Sequence, residues 1–483
     1  MRKLLSLAAT TILITGCAVG PEYERPETDL PDEWPEHELF DTAEDADWQE
    51  WWTHFDDPEL DDLVERALGE NLDVRLQAER VMEAHARLGL ADAERMPTVD
   101  AQAEAARERQ PEATSPLPGT AGTGNLFSVS GMLGYELDLW GRLASQREAA
   151  EAMLLESAFS RDAVRLNVAT DVVTTYISLR AAEEQLVLTE ETVRSRQRSL
   201  DIEEARYEEG SADALAVRQA RSDLETTRAS LPPMREQVMT LESALAVLVG
   251  AQPGELLGEL DFGEGRLREL GLPDAMPEDT PADILRRRPD IRAAEAGLMA
   301  STAEIGIAEA NRLPQVRLSA VLGTAATATG DLFTGPSETW GLGASVGGPL
   351  FDFGRSRAQV ETAESLRAQA ETQYNITVTT AFREVRDALI AYDMSSDRIE
   401  AVGRQLEAIE DTRDMSQLQY DEGLTGRFEL LDAERALLEA ELTAVEAARD
   451  RLTATATLFK AMGGAGWEGH TAHVLDAEGA DAR

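Results

Sequence analysis

Leu137-Asp138-Leu139-Trp140-Gly141-Arg142 returns, 213 residues later, as Leu350-Phe351-Asp352-Phe353-Gly354-Arg355, and at the same offset Tyr207-Glu208-Glu209-Gly210 returns as Tyr420-Asp421-Glu422-Gly423. Between these landmarks Val172, Leu179, Leu186, Val193, Leu200 and Tyr207 fall every seventh residue, and five of their six offset partners (Val385, Tyr392, Ile399, Leu406, Arg413, Tyr420) are again apolar or aromatic. The chain is therefore a tandem duplication of one structural unit. Gly141 to Leu231 contains no proline, and Pro349 is the last proline of the chain, so each unit holds a long helix. From Gly141 to the turn at Gly210 such a helix is a rod of roughly 100 Å. Heptad spacing makes it pack lengthwise against neighbours with a left-handed supercoil. Gly210 and Gly423 stand where a helix C-terminus commonly needs a left-handed residue. Returning helices are expected over Asp213 to Ser230 and Gly426 to Met462, with Pro232-Pro233 interrupting the first of them.

Upstream of each rod the period changes from seven to two. Phe127, Val129, Gly131, Leu133, Tyr135, Leu137 and Leu139 alternate with Ser128, Ser130, Gly134, Glu136 and Asp138. The same alternation runs through Val99 to Ala105, Val316 to Leu322 and Trp340 to Val346, where the intervening residues are polar or small. These are two hairpins with one greasy and one wet face, each strand able to reach the roughly 9 to 11 residues that a tilted membrane strand needs. A soluble sheet would need a helix or second sheet over its dry face, and the helices are committed to the rod; lipid is the better cover. Four strands cannot close a barrel, since about 8 is the practical minimum and open edges leave backbone groups unpaired in lipid. Several copies must share one barrel. Gln110 to Asn125 and Thr329 to Glu338, rich in Pro, Gly and Thr, read as its exposed outer loops.

Met1-Arg2-Lys3, the apolar run Leu4 to Ile14 and then Thr15-Gly16-Cys17 have the order of a secretory signal, too short for a permanent membrane helix. Ile14-Thr15-Gly16-Cys17 resembles a lipobox, which makes Cys17, the single cysteine of the 483 residues, a lipidation site. Ala18 follows it rather than Asp, which favours outer-membrane sorting. The formal charge of −46 makes nucleic acid an unfitting partner. Lys3 and Lys460 are the only lysines, so the positive charge is almost all Arg. That acidity fits a salt-adapted organism, in which salt screens self-repulsion, and equally fits simple solvation of long helices.

Cys17-Ala18-Val19-Gly20-Pro21-Glu22-Tyr23-Glu24-Arg25-Pro26, Trp51-Trp52-Thr53-His54-Phe55-Asp56-Asp57-Pro58-Glu59-Leu60 and the repeated Tyr-x-x-Gly turns together resemble the outer-membrane factors of tripartite efflux, the TolC-like channel-tunnels, in their lipoprotein (NodT/OprM-type) branch. The resemblance covers essentially the whole mature chain. It implies an α+β membrane channel-tunnel: a homotrimer with four strands per chain in a 12-stranded β-barrel, continued by a periplasmic α-helical barrel and wrapped by an equatorial domain. It implies a periplasmic adaptor and an inner-membrane efflux transporter as partners, outer-membrane lipid around the barrel, and passive passage of drugs or other small solutes without chemistry. The periplasmic aperture of the family matches Phe428-Glu429-Leu430-Leu431-Asp432-Ala433-Glu434-Arg435 here. Phe428 and Asp432, four apart, share a face, and three copies would set an apolar and an acidic ring across the pore. Arg435 is placed to pair with a neighbouring carboxylate. Leu215, Gln219 and Ser222 are the first-half counterparts, so the acidic residue occurs in one half only. Ordinary helix packing for Phe428 and a solvent-facing position for Asp432 are the alternatives. Tyr207, Gly210, Tyr420 and Gly423 reverse the helices, and the resemblance adds adaptor contact at those turns.

The boundaries that follow are a signal peptide at 1–16, a lipidated segment at 17–50, helices at 51–97, the first β-hairpin at 98–140, long helices at 141–250, an equatorial linker at 251–280, helices at 281–314, the second hairpin at 315–353, long helices at 354–462 and a tail at 463–483. Catalysis has no support: His37, His54, His85, His470 and His473 make no cluster with ligand spacing, and no cofactor or metal is expected. His470 and His473 lie in a Gly-rich tail. Gly341-Leu342-Gly343 sits in a strand pattern, not before a phosphate-binding helix. A periplasmic coiled-coil lipoprotein, scaffold or adaptor, would share the anchor and the heptads but not the four amphipathic strands.

Overall fold

A computed structural model describes residues 19–27, 42–43, 50–111, 122–211, 213–255, 267–272, 276–277 and 287–464. Cys17, His37, His470 and His473 lie outside them. The chain forms two compact units, one of Met1–Glu27, Arg80–Ser157 and Ala293–Asn375, the other of Thr28–Glu79, Ala158–Arg292 and Ile376–Arg483.

The helices are α1 (Pro58–Glu70), α2 (Leu72–Glu94), α3 (Arg142–Glu208), α4 (Ala214–Leu248), α5 (Pro289–Ala310), α6 (Arg355–Asp421) and α7 (Arg427–Ala461). The duplication is written into their lengths: α3 and α6 have 67 residues each, α4 and α7 35 each. No helix among the described residues is long and apolar enough to cross a membrane. One sequence-based expectation fails. Pro232 and Pro233 lie inside α4, which continues unbroken to Leu248. Leu224, Leu231, Val238 and Leu245 are all buried and seven residues apart, so the packed stripe runs straight past the prolines. Two forfeited backbone bonds weaken a helix locally, but lengthwise packing holds both flanks in line.

The first unit contains a four-stranded antiparallel sheet of β1 (Thr98–Gln110), β2 (Gly122–Leu137), β3 (Gln315–Ala326) and β4 (Glu338–Gly347), in that order. Because alternate residues share a face, register decides what each face carries. Val99 pairs with Leu133, Leu133 with Ala320, and Ala320 with Leu342, giving an apolar row. On the other face Glu136 pairs with Arg317 across the strands, their side chains 3.5 Å apart. Gly141 and Gly354, with φ of 78° and 90°, turn the chain from strand into α3 and α6, a conformation that suits glycine. Asp138 accepts the Ala144 N–H at 2.8 Å and Asp352 the Ser356 N–H at 2.9 Å, so each long helix starts on a carboxylate.

Residues 19–25 are strapped to this unit. The Val19 N–H donates to the Trp140 carbonyl at 3.1 Å, and a Cβ on Gly20 would stand 2.7 Å from Gly306 Cα. Tyr23 donates to Glu295 at 2.9 Å, and Arg25 meets both oxygens of that carboxylate at 2.7 Å.

In the second unit Trp51 is fully buried and stacks on Phe459 with ring centroids 5.4 Å apart. Asp57 serves two elements: one oxygen caps α1 through the Glu59 and Leu60 N–H groups, and the other accepts the Tyr176 hydroxyl of α3 at 2.6 Å. Buried Arg288 ties the Ala461 carbonyl at 2.8 Å to Glu384 at 2.7 Å. These bonds tie the start of α1 to α3, and the end of α7 to α6, within this unit.

Candidate gate at the helix-hairpin turns

Both long hairpins turn by the same mechanism. Gly210 donates to the Tyr207 carbonyl at 3.0 Å and Ser211 to Arg206 at 2.8 Å; Gly423 donates to Tyr420 at 3.0 Å and Leu424 to Gln419 at 2.8 Å. This is the paired bonding that closes a helix around a left-handed glycine, and the φ values are 74° and 71°. Asp213 then caps α4 through the Ala216 N–H at 2.9 Å, whereas Gly426 precedes α7 without a side-chain cap.

The two tyrosines next to these glycines have different surroundings. Tyr207 is 50 % exposed. Tyr420 donates its hydroxyl to the buried carboxylate of Glu203 at 2.9 Å and accepts from Arg206 at 2.5 Å. The guanidinium groups of Arg206 and Arg427 also lie 5.6 and 5.5 Å from its ring centroid, close enough for cation–π attraction. Burial, and then the hydrogen bond to Glu203, push the Tyr420 phenol above its ordinary value. It remains a donor at neutral pH. One side chain at the end of α6 thus holds the end of α3 and the start of α7 together.

On α7, Phe428 is 61 % exposed and Asp432 is exposed, while Leu430 and Leu431 between them and Ala433 just after are buried. The helix turns Phe428 and Asp432 away from its own chain's core. Arg435 reaches α4 and pairs with Asp223, a carboxylate only 4 % exposed as a residue. Around that pair, Arg196 of α3 donates to the Asp223 carbonyl at 3.2 Å and to the Thr227 hydroxyl. Arg196 is itself buried, and burial depresses its guanidinium, with Arg435 and Arg427 adding to the effect and Asp223 and Glu434 opposing it. Asp223 Oδ2 and Arg196 Nε have no hydrogen-bond partner, so the clasp is incompletely satisfied. Arg427 stands 3.7 Å from Glu434 on its own helix.

Glu203, Asp223 and Arg196 were not singled out in the sequence. A signal was present: Asp223 abuts Leu224 on the face that also buries Ala220 and Thr227, and a carboxylate on a packed stripe calls for a cation. Among the described residues no group of His, Cys, Asp or Glu is arranged to hold a metal ion. What the tip can do is mechanical, since ion pairs and a shared tyrosine hold two hairpins in one arrangement.

Comparison with known proteins gives the same fold. The outer membrane efflux protein family model matches residues 63–251 and again 280–464, once on each half. The probable efflux pump outer membrane protein TtgC of Pseudomonas putida is 31 % identical over 471 residues, covering 96 % of each chain. The cation efflux system protein CusC of Escherichia coli is 31 % identical over 468 residues, covering 96 % of this chain and 99 % of its own. The solved outer-membrane channel OprN superposes with a TM-score of 0.85 at 28 % identity, covering 93 % of this chain and 99 % of its own. Such channels are trimers, and the free edges of β1 and β4 are those of a twelve-stranded barrel completed by three chains. The chain belongs to the outer membrane efflux protein family and is the outer-membrane channel of a tripartite efflux pump.

Proposed function

We propose that this channel is shut at its helix-hairpin turns, where three copies of Phe428 and Asp432 form an apolar and an acidic ring, and that the Arg435–Asp223 pair and the Tyr420–Glu203–Arg206 group latch the shut arrangement. The observation that carries the reading is the clasp itself. A half-exposed arginine reaches from the second hairpin to a buried carboxylate on the first, about one helical turn from the exposed Asp432 and about two from the exposed Phe428. Loosening the clasp frees α7 to move relative to α4. A periplasmic adaptor, engaging the turns at Gly210 and Gly423 and the exposed ring of Tyr207, supplies the differential binding that such a shift requires, and an inner-membrane transporter delivers the solute.

Asp100, Glu104 and Glu108 lie on the face of β1 opposite the apolar row, so in the closed barrel they line the lumen and favour cations over anions. TtgC and CusC are named for an efflux pump and for cation efflux, and small organic or cationic toxicants are the cargo class proposed here. A lipid on Cys17 would tether the chain just ahead of the strap at Val19 to Arg25, as an accessory to the barrel. Cys17→Ser with an intact cleavable signal should still insert and trimerise, and a soluble periplasmic product would overturn the accessory role.

The test of the gate is single-channel conductance in planar bilayers together with vancomycin sensitivity of cells. Asp432→Ala and Arg435→Ala channels should conduct more and admit the drug. No increase in either measurement removes the gate from these residues.

A further inference from the structure

The apolar face of the sheet carries charges at one end only. Arg107 and Arg109 of β1 and Glu338 of β4 share that face with Val99, Leu133, Leu322 and Trp340, all three near the connections 111–121 and 327–337 that join the strands away from the helices. All three are exposed in the single chain, and no ion pair engages them among the described residues. A carboxylate or guanidinium on a lipid-facing surface is costly unless it is paired or reaches the headgroup level.

Strand geometry supplies the pair. β1 and β4 are the free edges of the sheet, and since every pairing is antiparallel, β4 runs antiparallel to a β1 that continues the sheet from the next chain. β4 has 10 residues and β1 has 13. If all of β4 is paired, Glu338 must stand opposite a residue between 107 and 110, because any lower register carries Gly347 past Thr98. Directly opposed residues point to the same face, and Glu338 is on the apolar one, so the choice narrows to residue 107 or 109. Both are arginine.

We propose that each barrel seam is pinned at its outer end by Glu338 of one chain pairing with Arg107 or Arg109 of a second copy of this chain, with the other arginine on the diagonal. Opposed residues lie about 4.5–5.5 Å apart at Cβ and diagonal ones about 7–8 Å, so the carboxylate reaches both in either register. The rest of the seam agrees with both registers. Leu342 then faces Ala103 or Ala105, and on the lumen side Glu104 faces Gly341 or Gly343, so no like charges meet. A slip by one residue would put Glu338 opposite Glu108 and turn every side chain to the wrong face; the ion pair disfavours that slip and fixes which edge receives which. The inference rests on the trimeric barrel but adds its register and the residues that set it.

The experiment is disulfide trapping in the full-length chain, with Cys17 left in place. Glu338→Cys is combined in turn with Arg107→Cys, Arg109→Cys and Glu108→Cys, and boiled samples are run without reductant. Covalent trimer is expected from one of the two arginine positions and not from Glu108→Cys. Equal or stronger trapping at Glu108→Cys, or none at any position in a protein that still migrates as a native trimer, overturns the register while leaving the trimer intact. Absence of a native trimer even for the parent chain would instead sink the barrel reading on which the register rests. Charge reversal gives a second readout. Glu338→Arg should lower by several degrees the temperature at which the detergent-resistant trimer dissociates, and adding Arg107→Glu and Arg109→Glu should restore it. If the two arginine reversals weaken the trimer whatever stands at 338, the arginines serve anionic lipid headgroups and the seam pair is wrong.

Discussion

The two halves share a backbone and differ in their wiring. Their long helices match residue for residue in length, and the glycines that end them, Gly210 with Gly423 and Gly250 with Gly463, all have positive φ. Yet Tyr207 is turned out and Tyr420 is held by three charged side chains. Arg435 has Ser222 as its repeat mate, and Asp223 has Ala436. Neither mate could form the pair, so the clasp between the hairpins exists only because the copies diverged. Duplication built a symmetric frame, and a few polar substitutions gave one half an exposed turn and the other a latch.

Removing the clasp should have the largest effect. Arg435→Ala takes from the Asp223 carboxylate, 5 % exposed, the cation bonded to it, with Arg196 still nearby. Breaking a buried ion pair costs about 3–5 kcal/mol; Arg435 is half exposed and solvent screens its share, so about 2 kcal/mol of hairpin stability is the expected loss. It is measured as reduced hydrogen-exchange protection of α4 and α7 near the turn. Asp223→Asn should cost less, because it removes the stranded charge as well as the bond. If Arg435→Ala leaves exchange and conductance unchanged, the halves are not joined at this point.

The glycines test the symmetric part of the comparison. A Cβ at Gly210 or Gly423 would meet nothing within 4 Å, so the penalty of Gly→Ala comes from positive φ alone and should be about 1–2 kcal/mol at both turns. Unequal losses in thermal melts would mean that one turn has contacts the other lacks. Tyr420→Phe and Tyr207→Phe then test the asymmetric part. The first removes the hydroxyl bond to the buried Glu203 carboxylate, which keeps Arg206 at 3.5 Å, and should cost about 1 kcal/mol, with a rise in basal conductance. The second removes an exposed hydroxyl and should stay within about 0.5 kcal/mol, moving only adaptor affinity. Equal effects would erase the distinction between the latched and the exposed turn.

Much of the frame was legible in the sequence because it is periodic. Seven-residue spacing marked the long helices, two-residue alternation marked the strands, and the glycines at a fixed offset marked the turns. Pro232-Pro233 is the opposite case: helix breaking by proline is a local rule, and the packed stripe from Leu224 to Leu245 overrides it. At the tip, Phe428, Asp432 and Arg435 were identifiable from the resemblance of one segment. Their partners were not, since Asp223, Glu203 and Arg196 lie in the other half and are charged residues on faces whose period reads as apolar. Pairing across 212 residues of chain leaves no spacing to detect.

Asp61 sharpens the contrast between a buried carboxylate with a cation and a half-buried one without. It sits on α1 of the same unit as Asp223. Burial first, then the charges of Asp57, Glu65, Glu50 and Asp56, push its carboxyl up to about 6 from 3.8, and its Oδ1 has no hydrogen-bond partner. Between about pH 4 and 6 the folded chain therefore binds a proton that the unfolded chain has released, and stability falls as pH rises through that window. Above it the folded state keeps an ionised Asp61 at a standing cost; below it the cost is gone. Asp61→Asn should accordingly raise the melting temperature at pH 8 and leave it unchanged at pH 4. Molar salt should shrink the gain at pH 8, because the four neighbouring carboxylates act through screened repulsion. A gain that persists at pH 4 would mean that amide packing, and not relief of an uncompensated charge, is responsible; Asp223→Asn, where the charge is compensated, should move stability in the other direction.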